Sequence, residues 1–361
     1  MVTIVAIAAI PKIEDIFITK DKTSIVDIVL DKCYRVYISF MPYKEVRKTN
    51  MPETLPEFPN FRPFTINDTT WFYDYYMANS LNPYVDIHPQ NLFVWLNINN
   101  DLMISRLENS VVLRYTNILD DNKTNIIPLS NPLNESVVEK VLEYLDDNGF
   151  TPEIHEIPST ICINLDQNKL LLDNDRDSYE YILDTTQQSL LLGNDFSRQR
   201  RRIKFFEREH SEDIIEVKYY DEIDDELKKT FQHHIDTMSL NSNEESSKRN
   251  VVEPTAIKRN LEYATFFHKQ ALVIIINNKV VSIAMMSPLD NKTVAINHLK
   301  VDYSVQYIFQ YTIYQLAKIL KEHDYLEMNL EQDLGIDGLR TFKERLQPSR
   351  YLEKKIIRSR A

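Results

Sequence analysis

The run N-L-E-Q-D-L-G-I-D-G-L-R-T-F-K-E-R-L-Q-P-S-R-Y-L, from Asn329 to Leu352, decides how the rest of the chain is read. Only four glycines occur in 361 residues, and two of them, Gly335 and Gly338, fall in this window. Glycine reaches backbone conformations that cost other residues energy, so the chain is expected to turn sharply here, or to approach something closely. Ahead of the window Leu326, Met328 and Leu330 alternate in strand fashion; behind it Ile336, Leu339, Phe342, Lys343 and Leu346 recur at helical spacing. The order strand, acidic loop, basic helix puts Glu331 and Asp333 on a loop at the carboxyl end of a strand. Arg340 and Lys343 then sit one turn apart on the following helix. In an α/β sheet that edge is the usual place for a ligand.

Outward toward the amino terminus the pattern becomes regular. Residues 270–276 and 280–288 predict a hairpin through Asn277-Asn278, and 293–300 a third strand. A long helix follows, with Ser304 as its expected cap and an apolar stripe through Val305, Ile308, Phe309, Thr312, Ile313, Leu316, Ile319 and Leu320. After the basic helix, residues 351–357 predict a terminal strand. Further back, 215–220 reads as a strand, 224–238 and 254–267 as helices, and 179–192 as a helix stopped by Gly193. Between them lies F-S-R-Q-R-R-R-I-K-F-F-E-R-E-H, Phe196 to His210. On a helix it lines Arg198, Arg201 and Arg202 along one face and turns Ile203 and Phe206 toward a core.

The stretch E-Q-D-L-G-I-D-G-L-R-T-F-K, with Pro348 and Tyr351, resembles the signature of the family built around the C-terminal domain of phosphatidylglycerol lysyltransferases. The resemblance extends from about Phe58 to the C-terminus and is sharpest over 197–206 and 331–348. It implies an α/β fold of tandem GNAT-like halves, related to the Fem-type aminoacyl transferases. The expected boundaries are an N-terminal extension with a proline-rich linker over 1–57, an N-terminal GNAT-like domain over 58–174, and a C-terminal one over 175–361. The implied activity is transfer of an amino acid from aminoacyl-tRNA to a lipid headgroup, a peptide or a small acceptor. An acyl-CoA-dependent N-acyltransferase and a catalytically silent phospholigand-binding module are the other readings.

Under that resemblance Glu331, Asp333 and Lys300 are the catalytic candidates, as base, ammonium partner or charge stabiliser. Arg340, Lys343, Arg198, Arg201 and Arg202 are the substrate-binding candidates, because guanidinium forks match phosphate and carboxylate. Each has a plainer explanation. Asp333 would cap the turn at Gly335, Arg340 would pair with Asp337 or Glu344, and the arginine face would be solvated beside Glu207, Glu209 and Glu212. GNAT enzymes that hold acetyl-CoA use a glycine turn ahead of the long helix. The corresponding V-D-Y-S-V-Q-Y, Val301 to Tyr307, has no glycine, so acetyl-CoA is the less favoured donor and no cofactor is expected. His298 reads as a packed histidine; His233 and His234 have no third ligand, and no metal site is expected.

The N-terminal half is less regular. Residues 2–10, 24–30 and 34–40 read as strands, and 51–63, with Pro52, Pro56, Pro59 and Pro63, as an extended linker. Asn67 or Asp68 would cap a helix running to Ala78, with Trp71, Phe72, Tyr75 and Tyr76 facing a core. H-P-Q-N-L-F-V-W-L, His88 to Leu96, predicts an aromatic helix on a sheet. Residues 103–108 and 111–117 predict a hairpin, and 135–148 an amphipathic helix ended by Gly149.

The formal charge of −12 argues against a polyanionic partner over most of the surface. The distribution modifies this: Arg198–Arg208 holds six basic residues against Glu207, and 340–361 holds eight against Glu344 and Glu353. Two distant cysteines, Cys33 and Cys162, fit a reducing cytoplasm. The apolar run 2–10 is far short of the roughly 20 residues of a membrane span, so any membrane contact is expected to be peripheral.

Overall fold

The computed structural model describes residues 51–96, 101–117, 123–240 and 248–360, all within the compact unit Thr49–Ala361. The strands expected before residue 50, and Cys33, lie outside the described residues.

In chain order, β1 (Arg62–Pro63) leads to α1 (Asp68–Ala78), the short α2 (Pro89–Asn91), and the hairpin β2 (Met103–Leu107) and β3 (Ser110–Thr116). Next come β4 (Thr124–Leu129), α3 (Glu135–Asp147), β5 (Glu153–Pro158), β6 (Leu170–Asn174), β7 (Glu180–Asp184), α4 (Thr185–Leu190) and α5 (Ser197–Glu209). The chain continues through β8 (Ile215–Tyr220), α6 (Asp225–Leu240), α7 (Lys248–Glu262), β9 (Gln270–Ile276), β10 (Lys279–Pro288) and β11 (Thr293–Val301). It ends with α8 (Ile308–Glu322), β12 (Glu327–Gln332), α9 (Asp337–Glu344), β13 (Arg350–Leu352) and β14 (Lys354–Ser359). The order β9, β10, β11, α8, β12, α9, β13 is the GNAT order expected from the sequence, and β2, β3, β4, α3, β5 repeats its first part.

Among the described residues the α/β architecture has three sheets. Strands β1 to β4 form one in sequence order; a seven-stranded sheet runs β13-β7-β12-β11-β10-β9-β8; and β14 is inserted between β5 and β6. The last strand of the chain thus completes a sheet begun in the N-terminal half. All pairings in the large sheet are antiparallel except β11 with β12. That parallel pair is joined only over Thr293–Ala295 against Glu327–Asn329, although β11 continues to Val301 and β12 to Gln332. Beyond the pairing the strands part, and the gap must be filled by side chains or by a ligand.

Two large apolar clusters hold this frame. One gathers Phe72 and Tyr76 of α1, Val138, Val141 and Leu145 of α3, and the inner faces of β2 to β5. The other packs α8 and α5 on the large sheet, with Phe206 stacked on Tyr311 at 4.2 Å between ring centroids. The aromatic stripe of α1 is core, as its spacing predicts.

Several local expectations are corrected. Residues 179–192 are not one helix: Tyr181, Ile182 and Leu183 form the buried strand β7, and only Thr185–Leu190 is helical. A strand covered on both faces is a continuous apolar run, which periodicity does not separate from a buried helix. Ser304 does not cap the long helix, which begins at Ile308 after Tyr307 in the left-handed region (φ 65°). The Ser304 hydroxyl instead donates to Asp302 at 2.6 Å. The terminal strand is two strands, β13 and β14, in different sheets. The proline-rich stretch before β1 is fastened to β2, Phe58 N donating to the Arg106 carbonyl at 2.8 Å and Arg106 N to that of Pro56 at 3.0 Å.

Candidate active site

A cavity of about 260 Å³ lies where β11 and β12 part. Asn297 and His298 of β11, Glu331 and Gln332 of β12, Phe309 of α8, and Phe342 and Lys343 of α9 contribute to its wall. The N-terminal half closes it with Asp86, Asn91, Trp95, Tyr115 and Glu156. Four lining carboxyl groups, Asp86, Glu156, Glu253 and Glu331, face a single lining lysine, Lys343.

Glu156 and Glu331 occupy matching places. Each lies on the strand that follows the helix of its half, β5 after α3 and β12 after α8. Each is a left-handed residue, with φ of 62° and 61°, and each sits at a break in strand register. Between its pairings with β7, β12 spends three residues where its partner spends two, and β5 does the same against β14. Such bulges turn a side chain out of the alternation of a strand and are common beside active sites. The freed amides are held locally: Glu331 N donates to Asn329 Oδ1 at 2.8 Å, and Glu156 N to Asp175 Oδ2 at 3.0 Å. Lys343 fixes the Glu331 bulge from the other side, its Nζ donating to the carbonyls of Leu330 (2.6 Å) and Gln332 (2.5 Å).

Both carboxyl groups have proton affinities shifted toward neutrality. Burial, with Asp86 and Glu180, pushes Glu331 up to about 7, against the amide of Asn297 (Nδ2 to Oε1 3.2 Å) and the charge of Lys343. Burial and Asp86 likewise push Glu156 up to about 7, against Lys354 and the Tyr115 hydroxyl, which donates to Oε2 at 2.6 Å. A carboxyl group poised near the working pH is suited to accept and return a proton. Behind the wall, buried Lys354 pairs with Asp86 and with Glu180 (2.9 Å). Burial works against its charge, yet Asp86, Glu180 and Glu156 together raise its proton affinity above the usual range, so it stays an ammonium.

Of the residues expected from the sequence, the structure brings only Glu331 and Lys343 to the cavity. Asp333 is fully buried two residues further on. It accepts from Arg340 Nε (2.9 Å) and Nη2 (3.0 Å), Arg176 Nη1 (3.0 Å), the Tyr181 hydroxyl (2.5 Å) and Gly335 N (2.9 Å). Asp333 caps the glycine turn and knots β7, β12 and α9 together, and Arg340 is spent on it and on Asp177 (2.6 Å). Lys300 pairs with Glu253 at 2.9 Å, at the edge of the cavity lining. His298 is buried, its Nε2 2.7 Å from Asn260 Nδ2.

Arg198, Arg201 and Arg202 lie on α5, outside the cavity lining. Among the described residues none of the three has a carboxylate within ion-pair distance; the nearby arginine–glutamate contact is Arg208 with Glu209. Arg202 lies over the Tyr307 ring at 5.5 Å. Partial burial and the guanidinium groups of Arg198 and Arg345 lower its proton affinity, with Tyr307 opposing. Arg345, just past α9, is held beside α5 by Gln199 Nε2, which donates to its carbonyl at 3.1 Å. The basic group that joins the arginine helix is therefore Arg345 rather than Arg340 and Lys343. Tyr307 precedes α8 and Phe309 lines the cavity, so arginines and cavity meet at one helical turn.

Glu156, Asp86, Glu180, Lys354, Asn297 and Lys269 were not singled out by the sequence. One signal was present: in E-I-H-E-I-P the buried Ile154 and Ile157 are three apart, where a regular strand would space them by two.

The sequence profile described as "Phosphatidylglycerol lysyltransferase, C-terminal" matches residues 81–357. A conserved protein of unknown function from Bacteroides thetaiotaomicron VPI-5482 is similar in structure, with a TM-score of 0.69 at 19% identity, over 83% of this chain and 99% of that one. L-PGS from Bacillus licheniformis aligns with a TM-score of 0.49 at 14% identity, over 73% of this chain and 85% of that one. No curated protein matches the sequence.

Proposed function

The chain belongs to the phosphatidylglycerol lysyltransferase C-terminal family, and on that premise we propose that it moves an aminoacyl group from aminoacyl-tRNA to a hydroxyl of an anionic lipid headgroup. The observation that carries this reading is the junction at the first turn of α8. Arg198, Arg202 and Arg345, without an ion-pair partner among the described residues, stand on one side of it and an acid-lined cavity on the other. A donor with a polyanionic body and a cationic end fits that arrangement: phosphates meet arginines, and the aminoacyl ammonium enters among carboxylates.

The ester of aminoacyl-tRNA is already activated, so positioning and proton transfer are the tasks left to the protein. Glu331, ionised, takes the proton of the acceptor hydroxyl as its oxygen attacks the ester carbonyl. The carbon–oxygen bond to the ribose then breaks, and the same proton passes from Glu331 to the leaving ribose oxygen. One ester forms, one breaks, and Glu331 returns to its starting state. Lys343 holds the bulge that presents Glu331.

Acetyl-CoA fits less well. The turn before α8 lacks glycine, and its Ser304 and Val305 amides, which a pyrophosphate would need free, already donate to Asp302 at 3.0 Å each.

The test is incubation with tRNAs charged with labelled amino acids and vesicles containing phosphatidylglycerol, followed by lipid extraction. Label in the lipid fraction, with no heat on titration with acetyl-CoA, is expected. Tight acetyl-CoA binding, with no transfer from any charged tRNA, overturns the reading.

A further inference from the structure

Behind Glu331 lies a buried polar cluster to which the proposed reaction gives no part. Lys269, just ahead of β9, is almost wholly enclosed, at 1% exposure. Its Nζ donates to Ser287 Oγ at 2.6 Å and to Asn297 Oδ1 at 2.8 Å. Ser287 also receives Gln90 Nε2 at 2.7 Å and donates its own proton to Asn297 Oδ1. Asn297 Nδ2, on the cavity side, donates to Glu331 Oε1 at 3.2 Å.

The inventory of donors and acceptors fixes the amide. Asn297 Oδ1 accepts from two donors, and exchanging the ends of the amide would set its NH2 against the lysine and the serine while turning an oxygen toward a carboxylate. The orientation at the cavity wall is thus dictated from behind. A buried lysine is an unusual means to that end, since enclosure disfavours its charge. Here burial pulls the proton affinity of the amine well below the usual lysine range, with Glu331 opposing, and its N–H groups are spent as donors to Ser287 and Asn297.

We propose that Lys269 is a positioning residue for the cavity: held against Ser287, it locks the Asn297 amide so that Nδ2 points at Glu331 and favours the ionised carboxylate. This rests on Glu331 as the proton-handling group of the proposed reaction, but the hydrogen-bond relay exists whether or not aminoacyl transfer is the activity. The titratable groups acting on Glu331 are Lys343 from α9, Asp86 from the segment before α2, Glu180 from β7, and Lys269 itself. Of these, Lys269 alone reaches it through Asn297.

The test compares wild type with Lys269→Met and Ser287→Ala, following the Glu331 carboxyl carbon by NMR as a function of pH. Each substitution removes one donor from Asn297 Oδ1, and only the first removes an amine. The midpoint of Glu331 is expected to rise by about half to one pH unit in both, and the Asn297 amide proton signals to lose their protection from exchange. The rising limb of any transfer activity moves with the midpoint. A shift in Lys269→Met with none in Ser287→Ala would reduce the lysine to a plain electrostatic neighbour and overturn the proposal. An unchanged midpoint in both does the same. Should Lys269→Met fail to fold, Ser287→Ala, the loss of one hydroxyl, decides. A shifted midpoint in a protein that transfers nothing from charged tRNA leaves the relay standing and removes the transferase reading.

Discussion

Glu331, in the bulge of β12, and Asp333, just past the strand's end, stand two residues apart, and their surroundings drive the two carboxyl groups in opposite directions. Glu331 is turned by a bulge into a cavity where Asp86 and Glu180 repel its charge. Asp333 is sealed among Arg340, Arg176, Tyr181 and the Gly335 amide, and these donors outweigh the cost of its burial and hold it below the usual carboxylate range. Enclosure alone therefore does not say what a carboxyl group is for. The number of donors aimed at it separates a proton-handling group from a structural knot.

The largest expected effect breaks the Glu331 side. Glu331→Gln keeps the size of the side chain and removes the proton acceptor, so transfer should fall by about a hundred- to ten-thousand-fold with folding intact. Steady-state transfer together with a melting curve checks both halves of the statement. Asp333→Ala should do the reverse. It strands two guanidinium groups and a phenol and should cost about 3 kcal/mol, the low end for a broken buried pair, because Arg176 and Arg340 keep 33% and 26% of their side-chain surface exposed. Urea unfolding measures this. A variant that melts like wild type would remove the distinction.

The pH dependence of stability sharpens the same contrast. Asp333 has a lowered folded-state proton affinity, so its contribution is present above the unfolded carboxylate range and is lost as pH falls through the folded value. Glu331 is raised to about 7, so the folded state holds an extra proton between the unfolded value of about 4.3 and 7, and stability falls as pH rises through that window. Glu331→Gln should therefore gain stability on wild type from pH 5 to pH 8. Asp333→Asn should lose least in acid. Denaturant midpoints across that range decide both.

A smaller effect is expected at the arginines. Arg198→Ala with Arg202→Ala should weaken tRNA binding and reduce the slope of log affinity against log salt by about 1.4 to 1.8, if each guanidinium meets one phosphate. The melting temperature should hardly change, because neither group has an ion-pair partner to strand among the described residues. Binding by filter retention at several salt concentrations tests this.

What was legible in the sequence follows the same division. The helix α3, with one exposed face, was readable from periodicity, the buried strands β9 and β10 from the Asn277-Asn278 turn between two apolar runs, and the family signature located the loop. Glu331 and Lys343 were legible because the loop is contiguous. Glu156 and Asp86 were not, since each comes from a different segment and joins the cavity only through tertiary packing, and neither was Lys269, which meets Asn297 behind the wall. Periodicity reports the face of one element, never which elements share a wall. Arg340 misled because an arginine one turn from a cavity lysine has the right spacing for a ligand, and only the fold shows that Asp333 and Asp177 already occupy it.

The smallest expected effects concern the two glycines from which the loop was recognised, and they should differ in sign. Gly335 has φ of 71°, and a Cβ placed there would lie 2.9 Å from Asp177 Oδ2, the carboxylate that pairs with Arg340. Gly335→Ala should destabilise by about 1–2 kcal/mol, from the left-handed backbone and from displacing Asp177. Gly338 lies in the first turn of α9, where an added Cβ meets nothing within 4 Å. Alanine is the better helix former and restricts the unfolded chain, so Gly338→Ala should stabilise by about 0.5–1 kcal/mol. Chemical denaturation of the two single variants settles the signs. If both destabilise, the helix-propensity account of Gly338 fails. If neither does, the Asp333 side of the loop is less tightly determined than its hydrogen bonds require, since a knot held by five donors leaves the intervening turn no room to adjust.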